Sequence, residues 1–223
     1  AVPLLLVLGR PATLFASVLP TAPAADAPGS REWLRAAWHS RAARIAIHPW
    51  VSTTVFLSSF YLIYPGGVFD TVADSHVAHM VMKGWFLTVG MVMFWGTVGE
   101  DPVPRPIAGL TKLLASITAL AGFAFFLVVT IDLETALGAS FYSGLRLDWN
   151  ADLLADQRRG GTLAWGIGEL PLLAAAVLAA VRWSAADESA ARQRDRRVDD
   201  QGDTELEAYN TMLGGLSSRR DHP

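Results

Sequence analysis

Residues 107–131, IAGLTKLLASITALAGFAFFLVVTI, contain one charged side chain, Lys112, and it lies near the start of the stretch. The hydrocarbon core of a bilayer is about 30 Å thick, and a helix that rises about 1.5 Å per residue needs roughly 20 apolar residues to cross it. This stretch is long enough and apolar enough to do so. It predicts a transmembrane helix.

Three further stretches have the same character. They hold only two charged side chains, Lys83 and Glu169, and they are residues 45–64, 76–99 and 160–181. A buried core helix is the alternative for any one of the four stretches, but four uninterrupted apolar windows in one chain are difficult to pack in a soluble core. The sequence therefore predicts an all-α fold, a polytopic membrane helical bundle with four transmembrane helices.

The opening stretch, residues 1–19, is also apolar but is interrupted by Gly9-Arg10-Pro11. Because proline ends or kinks a helix, we expect this segment to be either the end of a truncated span or an interfacial segment. Residue 1 is Ala, and residues 1–9 lack the cationic region that opens a signal peptide. The chain is expected to begin partway through a longer protein.

The composition of the 223 residues excludes several classes of protein. Charged residues make up 17% of the chain, against about a quarter in ordinary soluble domains. The net charge of -3 provides no basic excess for nucleic acid, so the expected partner is a lipid bilayer and not a nucleic acid. With no cysteine, the chain cannot form disulfide scaffolds, zinc–thiolate sites or thiol redox centres.

The distribution of Lys and Arg between the connecting segments predicts the orientation of the chain. Residues 20–44 carry four Arg, residues 100–106 carry one, and the tail after Arg182 carries six. Residues 65–75 carry no Lys or Arg, and the three Arg of residues 132–159 are outnumbered by five acids. Residues 20–44, residues 100–106 and the C-terminal tail are therefore predicted to be cytoplasmic, and residues 65–75 and 132–159 are predicted to face outward.

The predicted organisation has four parts. They are residues 1–19 as a partial or interfacial apolar segment, 20–44 as a cytoplasmic linker, 45–183 as a four-span membrane domain and 184–223 as a charged cytoplasmic tail. The tail holds nine acids and six Arg with few large apolar residues, which is typical of a solvated helix or a disordered segment.

Polar groups within a bilayer are costly, so each one is a candidate site. On the second predicted span, His76, His79, Met80 and Lys83 are spaced i, i+3, i+4 and i+7 and share one helix face. Imidazole and thioether donors without a thiolate suit copper, so His76, His79 and Met80 are candidate metal ligands. An interfacial His pair with packing Met residues is the alternative, and the Lys83 ammonium would repel a bound cation.

A second group of polar residues lies at or within the last predicted span. Asp156 and Gln157 precede this span, and Glu169 lies about nine residues inside it. Glu169 is expected to be protonated, paired with Lys83 or Lys112, or part of a cation path. Lys83, Asp156, Gln157 and Glu169 are therefore candidates for a further polar site, with a structural ion pair as the alternative.

No motif of a classical enzyme is found in the sequence. It contains no G-x-S-x-G nucleophile elbow, no glycine-rich phosphate loop and no His-Glu-x-x-His zinc motif. The chain is not predicted to be an enzyme.

Five short motifs occur in order along the chain. They are residues 3–11 (PLLLVLGRP), 48–49 (HP), 99–105 (GEDPVPR), 156–169 (DQRRGGTLAWGIGE) and 208–213 (AYNTML). Taken together they resemble the CtaG family of cytochrome c oxidase assembly factors, in particular its actinobacterial branch. The resemblance extends over essentially all of the chain, and the Asp-Gln…Gly-Gly…Trp element is its most specific part.

The resemblance implies a multi-pass protein of the bacterial plasma membrane with cytochrome c oxidase subunits as partners. It also implies a chaperone role in which outer-face His and Met assist copper delivery to the oxidase. Three departures stand against this. The family's amino-terminal half, with its His-Met-rich helix, is not found ahead of Pro3, and Trp85 and Phe123 stand where the family usually has His.

These departures favour an alternative, a degenerate structural or scaffold membrane protein without metal binding. A haem- or quinone-binding protein is a further alternative. Bis-His haem would need axial His on facing helices, and paired His occur on one predicted span alone.

Overall fold

The computed structural model of the protein describes residues 1–20, 29–145, 152–201 and 208–214. These residues form helices joined by turns, with no β-strand among them, which confirms the predicted all-α fold. The chain divides into two compact units, Ala1–Val181 and Arg182–Pro223.

Helices account for most of the described residues. In chain order they are α1 (Val2–Leu8), α2 (Pro11–Val18), α3 (Ser30–Trp38), α4 (Arg41–Ala46), α5 (Pro49–Ile63), α6 (Val68–Val72), α7 (His76–Val98), α8 (Gly109–Asp132), α9 (Ala139–Gly144), α10 (Leu153–Gly168) and α11 (Leu170–Gln201). Residues 208–214 are also helical.

Three of the four predicted spans correspond to helices long and apolar enough to cross a membrane. These are α7, α8 and the helical stretch Leu153–Arg197. The remaining window, residues 45–64, is divided between the end of α4 and the 15-residue α5. Pro49 begins α5 because proline suits the first turn of a helix and not its interior. At about 1.5 Å per residue α5 is roughly 22 Å long, shorter than the other spans.

The last predicted span is bent. Residues 160–181 were expected as one helix, but α10 ends at Gly168 and α11 begins at Leu170. Pro171 explains the break, because it has no N–H and its ring clashes with the carbonyl group one turn earlier. The hydrogen-bond ladder resumes where Leu173 N–H donates to Glu169 O at 2.8 Å.

The first unit has one continuous hydrophobic core. Its buried side chains come from α1, α5, α7, α8 and α11, and they are Leu4, Val7, Phe56, Val89, Met93, Phe94, Val98, Ala119, Leu172, Ala175 and Ala179. Three of the eleven are alanines, which allow helices to approach closely.

One close approach fixes the junction between α4 and α5 against α7. A Cβ atom at Gly96 would lie well inside van der Waals contact of the Ile47 carbonyl oxygen. Only glycine therefore lets the end of α7 pass this close to the start of α5.

The apolar amino-terminal stretch forms two helices that differ in burial, and the break predicted at Gly9-Arg10-Pro11 is confirmed. Helix α1 packs into the core through Leu4 and Val7, whereas α2 has no buried residue. Between them Arg10 adopts a left-handed conformation with φ of 55°.

The carboxylate of Asp101 holds the start of α2. Its two oxygens accept hydrogen bonds from Ala12 N–H (3.0 Å) and Thr13 N–H (2.8 Å), and the Thr13 hydroxyl also donates to it. Asp101 is 4% exposed. The first N–H groups of a helix have no partner within it, so this distant carboxylate serves as the cap.

In the second unit the described side chains are exposed over residues 183–197 and 208–214. An ion pair between Arg192 and Glu188, 3.1 Å apart, links successive turns of α11. Exposed pairs of this kind contribute about 0.3–0.5 kcal/mol.

Candidate functional site

Three candidate metal ligands lie together on the first turns of α7. Ser75 begins the helix, and its hydroxyl oxygen accepts a hydrogen bond from Ala78 N–H at 3.3 Å. His76, His79 and Met80 then share one helix face. His76 is exposed, His79 is half-buried and Met80 is 56% exposed. This α7 donor row, His76, His79 and Met80, is accessible from outside the bundle.

Lys83 lies one turn further along the same face and is exposed. In the described part of the chain no ion pair joins Lys83 to Glu169. The structure therefore does not bring together the two intramembrane charges that the sequence suggested as partners.

Asp156 and Gln157 line a cavity of about 390 Å³ where α5 and α8 end and α10 begins. Much of the cavity wall is aromatic, and the rings belong to Phe60, Tyr64, Phe69, Phe123, Phe126 and Tyr142. The centroid of the Phe60 ring lies 5.1 Å from that of Phe123 and 5.3 Å from that of Phe126. Such pairs contribute about 0.5–1.5 kcal/mol beyond their buried area, so this aromatic cavity has a well-packed wall.

Gln157 joins α10 to two other segments. Its side-chain NH2 donates to Thr130 O near the end of α8 at 2.9 Å. Its side-chain oxygen accepts from Leu137 N–H, in the turn before α9, at 2.6 Å. Both polar ends of the amide are satisfied, so Gln157 is a structural bridge rather than a free ligand.

Asp156 is exposed where it lines the aromatic cavity. The cap at the start of α10 is formed by Asp152, whose carboxylate accepts from Ala155 N–H at 2.9 Å. Asp156 is therefore not needed as the helix cap. Its carboxylate could receive a cation or a polar group from a partner.

Glu169 lines a separate cavity of about 500 Å³ together with Thr162 and Trp165. It lies at the break between α10 and α11, and its side chain is half-buried. One carboxyl oxygen, Oε1, is buried without a hydrogen-bond partner. Burying an oxygen without a hydrogen-bond partner costs free energy. Glu169 therefore remains a candidate for a polar site, separate from the α7 donor row.

Both aromatic residues at expected His positions contact α5, although Trp85 is 47% exposed. Trp85 Nε1 donates to the Ser59 hydroxyl of α5 at 2.9 Å. Phe123 contacts the rings of Phe56, Phe60 and Phe126. At both positions the side chain makes a contact between helices.

The predicted site residues therefore fall into three places: the α7 donor row with Lys83 on the same face, the aromatic cavity with Asp156 and Gln157, and the cavity at Glu169. Over the described residues no three His, Cys, Asp or Glu side chains lie close enough to hold a metal ion. A copper site at the donor row would rest on two imidazoles and a thioether alone.

The aromatic cavity was not predicted from the sequence. Phe56 and Phe60 of α5 and Tyr64 at its C-terminal cap are spaced i, i+4 and i+8, and Phe123 and Phe126 are spaced i and i+3 along α8. Both spacings place the rings on one helix face. The sequence contains this pattern, but the pattern alone does not indicate that the aromatic faces of α5 and α8 oppose each other.

The comparison with known families agrees with the motifs. Residues 1–186 match the family described as cytochrome c oxidase caa3 assembly factor (Caa3_CtaG). The chain belongs to this family. The resemblance predicted from the motifs is confirmed, and the matched residues of this family member include all three places where candidate site residues lie.

Similar proteins occur in mycobacteria. An uncharacterized protein of Mycobacterium bovis and one of Mycobacterium tuberculosis are each 39% identical over 222 residues, and one of Mycobacterium leprae is 36% identical over 220 residues. Each alignment covers 98% of this family member and 33% of the relative. The chain thus spans about a third of the length of these relatives. No solved structure matches it.

Proposed function

We propose that the protein is a membrane-integral assembly factor for cytochrome c oxidase and that the α7 donor row carries copper as cargo for the oxidase. Family membership supports the assembly role. The donor row supports the copper role, because His76, His79 and Met80 offer two imidazoles and a thioether on one accessible helix face.

The membrane location is supported by the surface of the helices as well as by their length. Large apolar side chains along the spans are exposed, for example Val77 at 71%, Leu163 at 66% and Ile167 at 68%. Water would make such surfaces unfavourable, whereas acyl chains cover them without cost. We infer a multi-pass protein of the bacterial plasma membrane with a cytoplasmic C-terminus.

The openness of the donor row suits a carrier rather than a permanent metal centre. Thioether favours Cu(I), and imidazole accepts either oxidation state. Three donors on one helix leave a coordination position free, through which a ligand of the acceptor protein can displace them. This role requires transfer without chemical turnover, so we propose no catalytic activity.

A second candidate function is that of a scaffold for oxidase assembly without metal. The packing of Trp85 on Ser59 and of Phe123 among three phenylalanines favours it, because both residues stabilise helix contacts where the family usually has His.

Copper binding by the full chain in detergent separates the two functions. For the copper carrier we expect the wild type to bind stoichiometric Cu(I). The affinity for Cu(I) should fall by roughly tenfold or more in His76→Ala/His79→Ala. The matched control His39→Ala/His48→Ala removes two imidazoles elsewhere and should bind as the wild type does. Equal copper binding by both variants, or none by the wild type, would leave the scaffold as the function.

A further inference from the structure

A basic cavity lies at the opposite end of the bundle from the α7 donor row. It has a volume of about 580 Å³, and the residues that characterise it are Arg41, Arg44, Ile45, His48, Val51 and Arg105. They come from α4, the start of α5 and the turn between α7 and α8. Among the described residues no acidic side chain lines this arginine cavity.

The position of the arginine cavity is fixed by packing on both sides. The Ile47 carbonyl group lies directly against Gly96 of α7, which places α4 beside the end of that helix. The turn after α7 is held by Trp38, whose Nε1 donates to Pro102 O at 2.7 Å. The three guanidinium groups therefore lie on α4 and on the turn after α7, both of which are held by contacts with other parts of the fold.

The charges in the cavity are not neutralised within the described residues. Arg41, Arg44 and Arg105 are exposed, and none of them forms an ion pair there. The nearby carboxylate of Asp101 already accepts three hydrogen bonds from α2. The cavity therefore concentrates positive charge where an anion can enter.

Apolar side chains adjoin the arginines. Ile45 is 61% exposed and Val51 is 37% exposed, and α5 begins at this level with Pro49 and Trp50. An aromatic residue and a proline at a helix start are typical of a membrane interface. Basic groups beside exposed aliphatic groups suit a ligand with a phosphate at one end and acyl chains at the other.

We propose that the arginine cavity binds a phosphate group, and specifically the headgroup of an anionic phospholipid. Guanidinium groups bind phosphate oxygens through paired N–H bonds, which an ammonium cannot reproduce. The exposed Ile45 and Val51 favour a lipid over a small soluble phosphate, because the latter gains nothing from aliphatic contact. This site is independent of copper binding.

The test compares ligand binding to the full chain in detergent by native mass spectrometry. The probes are phosphatidylglycerol, phosphatidylcholine and inorganic phosphate. The variant Arg41→Gln/Arg44→Gln/Arg105→Gln removes the three charges, and the control Arg192→Gln/Arg194→Gln/Arg196→Gln removes three exposed charges from the second unit. The single variant Arg105→Gln, on an exposed turn, guards against misfolding of the triple variant.

The proposal predicts that phosphatidylglycerol binds wild type and control alike, and that the cavity variant loses at least ~10-fold in affinity. Arg105→Gln should show a smaller loss, and phosphatidylcholine should bind all forms weakly. If inorganic phosphate displaces phosphatidylglycerol and binds with equal affinity, the lipid is overturned as the ligand and a soluble phosphate takes its place. Equal phosphatidylglycerol binding by the cavity variant and the control would overturn the site altogether. Copper binding should be the same in all these forms.

Discussion

The two ends of the helix bundle are held together in different ways. At the end with Arg105, long-range contacts tie the chain: Asp101 caps α2, Trp38 bonds to Pro102, and Gly96 packs on Ile47. At the end with His76, the aromatic cavity and the Gln157 bridge hold α5, α8 and α10.

The ties at both ends stabilise the fold, whereas the α7 donor row is available for exchange of a ligand. The ties at the arginine end are buried or backbone-directed, so changing them should damage the fold. In the α7 donor row His76 and Met80 are exposed and His79 is half-buried, so changing the row should affect what the protein binds and not whether it folds. Substitutions at the two ends, made in one background, can break or sharpen this contrast.

The largest loss of stability is expected for Asp101→Ala. It leaves the first N–H groups of α2 without an acceptor in a nearly buried place, and we expect the free energy of unfolding to fall by about 2–4 kcal/mol. Thermal unfolding in detergent, followed by circular dichroism, measures the effect. Asp74→Ala, at an exposed turn, is the control and should unfold as the wild type does. A change of similar size in both variants would mean that the cap is not what stabilises this end.

A smaller loss is expected for Gly96→Ala. The new methyl group would collide with the Ile47 carbonyl and push α5 away from α7, at a cost of about 1–3 kcal/mol. Gly84→Ala is the matched control in the same helix, where a Cβ meets nothing within 4 Å. It should raise stability by up to about 1 kcal/mol through helix propensity. A change in stability of the same sign in both variants would contradict the close approach of α7 to Ile47 at Gly96.

At the other end, Gln157→Ala removes one donor and one acceptor that join α10 to Thr130 and Leu137. We expect a loss of about 1–2 kcal/mol, because two ordinary hydrogen bonds are broken. Gln193→Ala, on the exposed part of α11, should have no effect. Hydrogen exchange of the turn around Leu137 should become faster in the first variant, and unchanged exchange there would argue against the bridge.

The smallest effect on folding is expected for His76→Ala/His79→Ala. In the described part of the chain neither imidazole forms a hydrogen bond or an ion pair with another helix, so we expect the free energy of unfolding to change by no more than about 0.5 kcal/mol. The same melts measure it. A loss comparable with that of Gln157→Ala would show that the histidines belong to the packing of this end and not to an exchange site.

Apolar windows with one charged residue each sufficed to locate α7, α8 and the last span, because a bilayer requires apolar length whatever the packing. They did not show that α5 is short or that Pro171 bends the last span. The window at residues 45–64 has no charge at all, so only the proline at position 49 indicated where α5 begins. The apolar length of residues 160–181 predicts one helix, although the proline at position 171 in its interior argues for a break.

The candidate site was only partly predictable. The α7 donor row follows from local spacing, and local spacing is readable in a sequence. The roles of Gln157 and Asp101 depend on partners 20 or more residues away, and periodicity carries no information about such contacts. The same holds for the arginine cavity, whose three guanidinium groups come from two separate segments.

Copper X-ray absorption of the Cu(I)-loaded full chain tests the proposed carrier most directly. The account predicts nitrogen and sulfur neighbours of copper in the wild type, loss of the sulfur signal with retained copper in Met80→Leu, and loss of bound copper in His76→Ala/His79→Ala. A spectrum that is the same in wild type and Met80→Leu, with copper still held by the histidine variant, would contradict it.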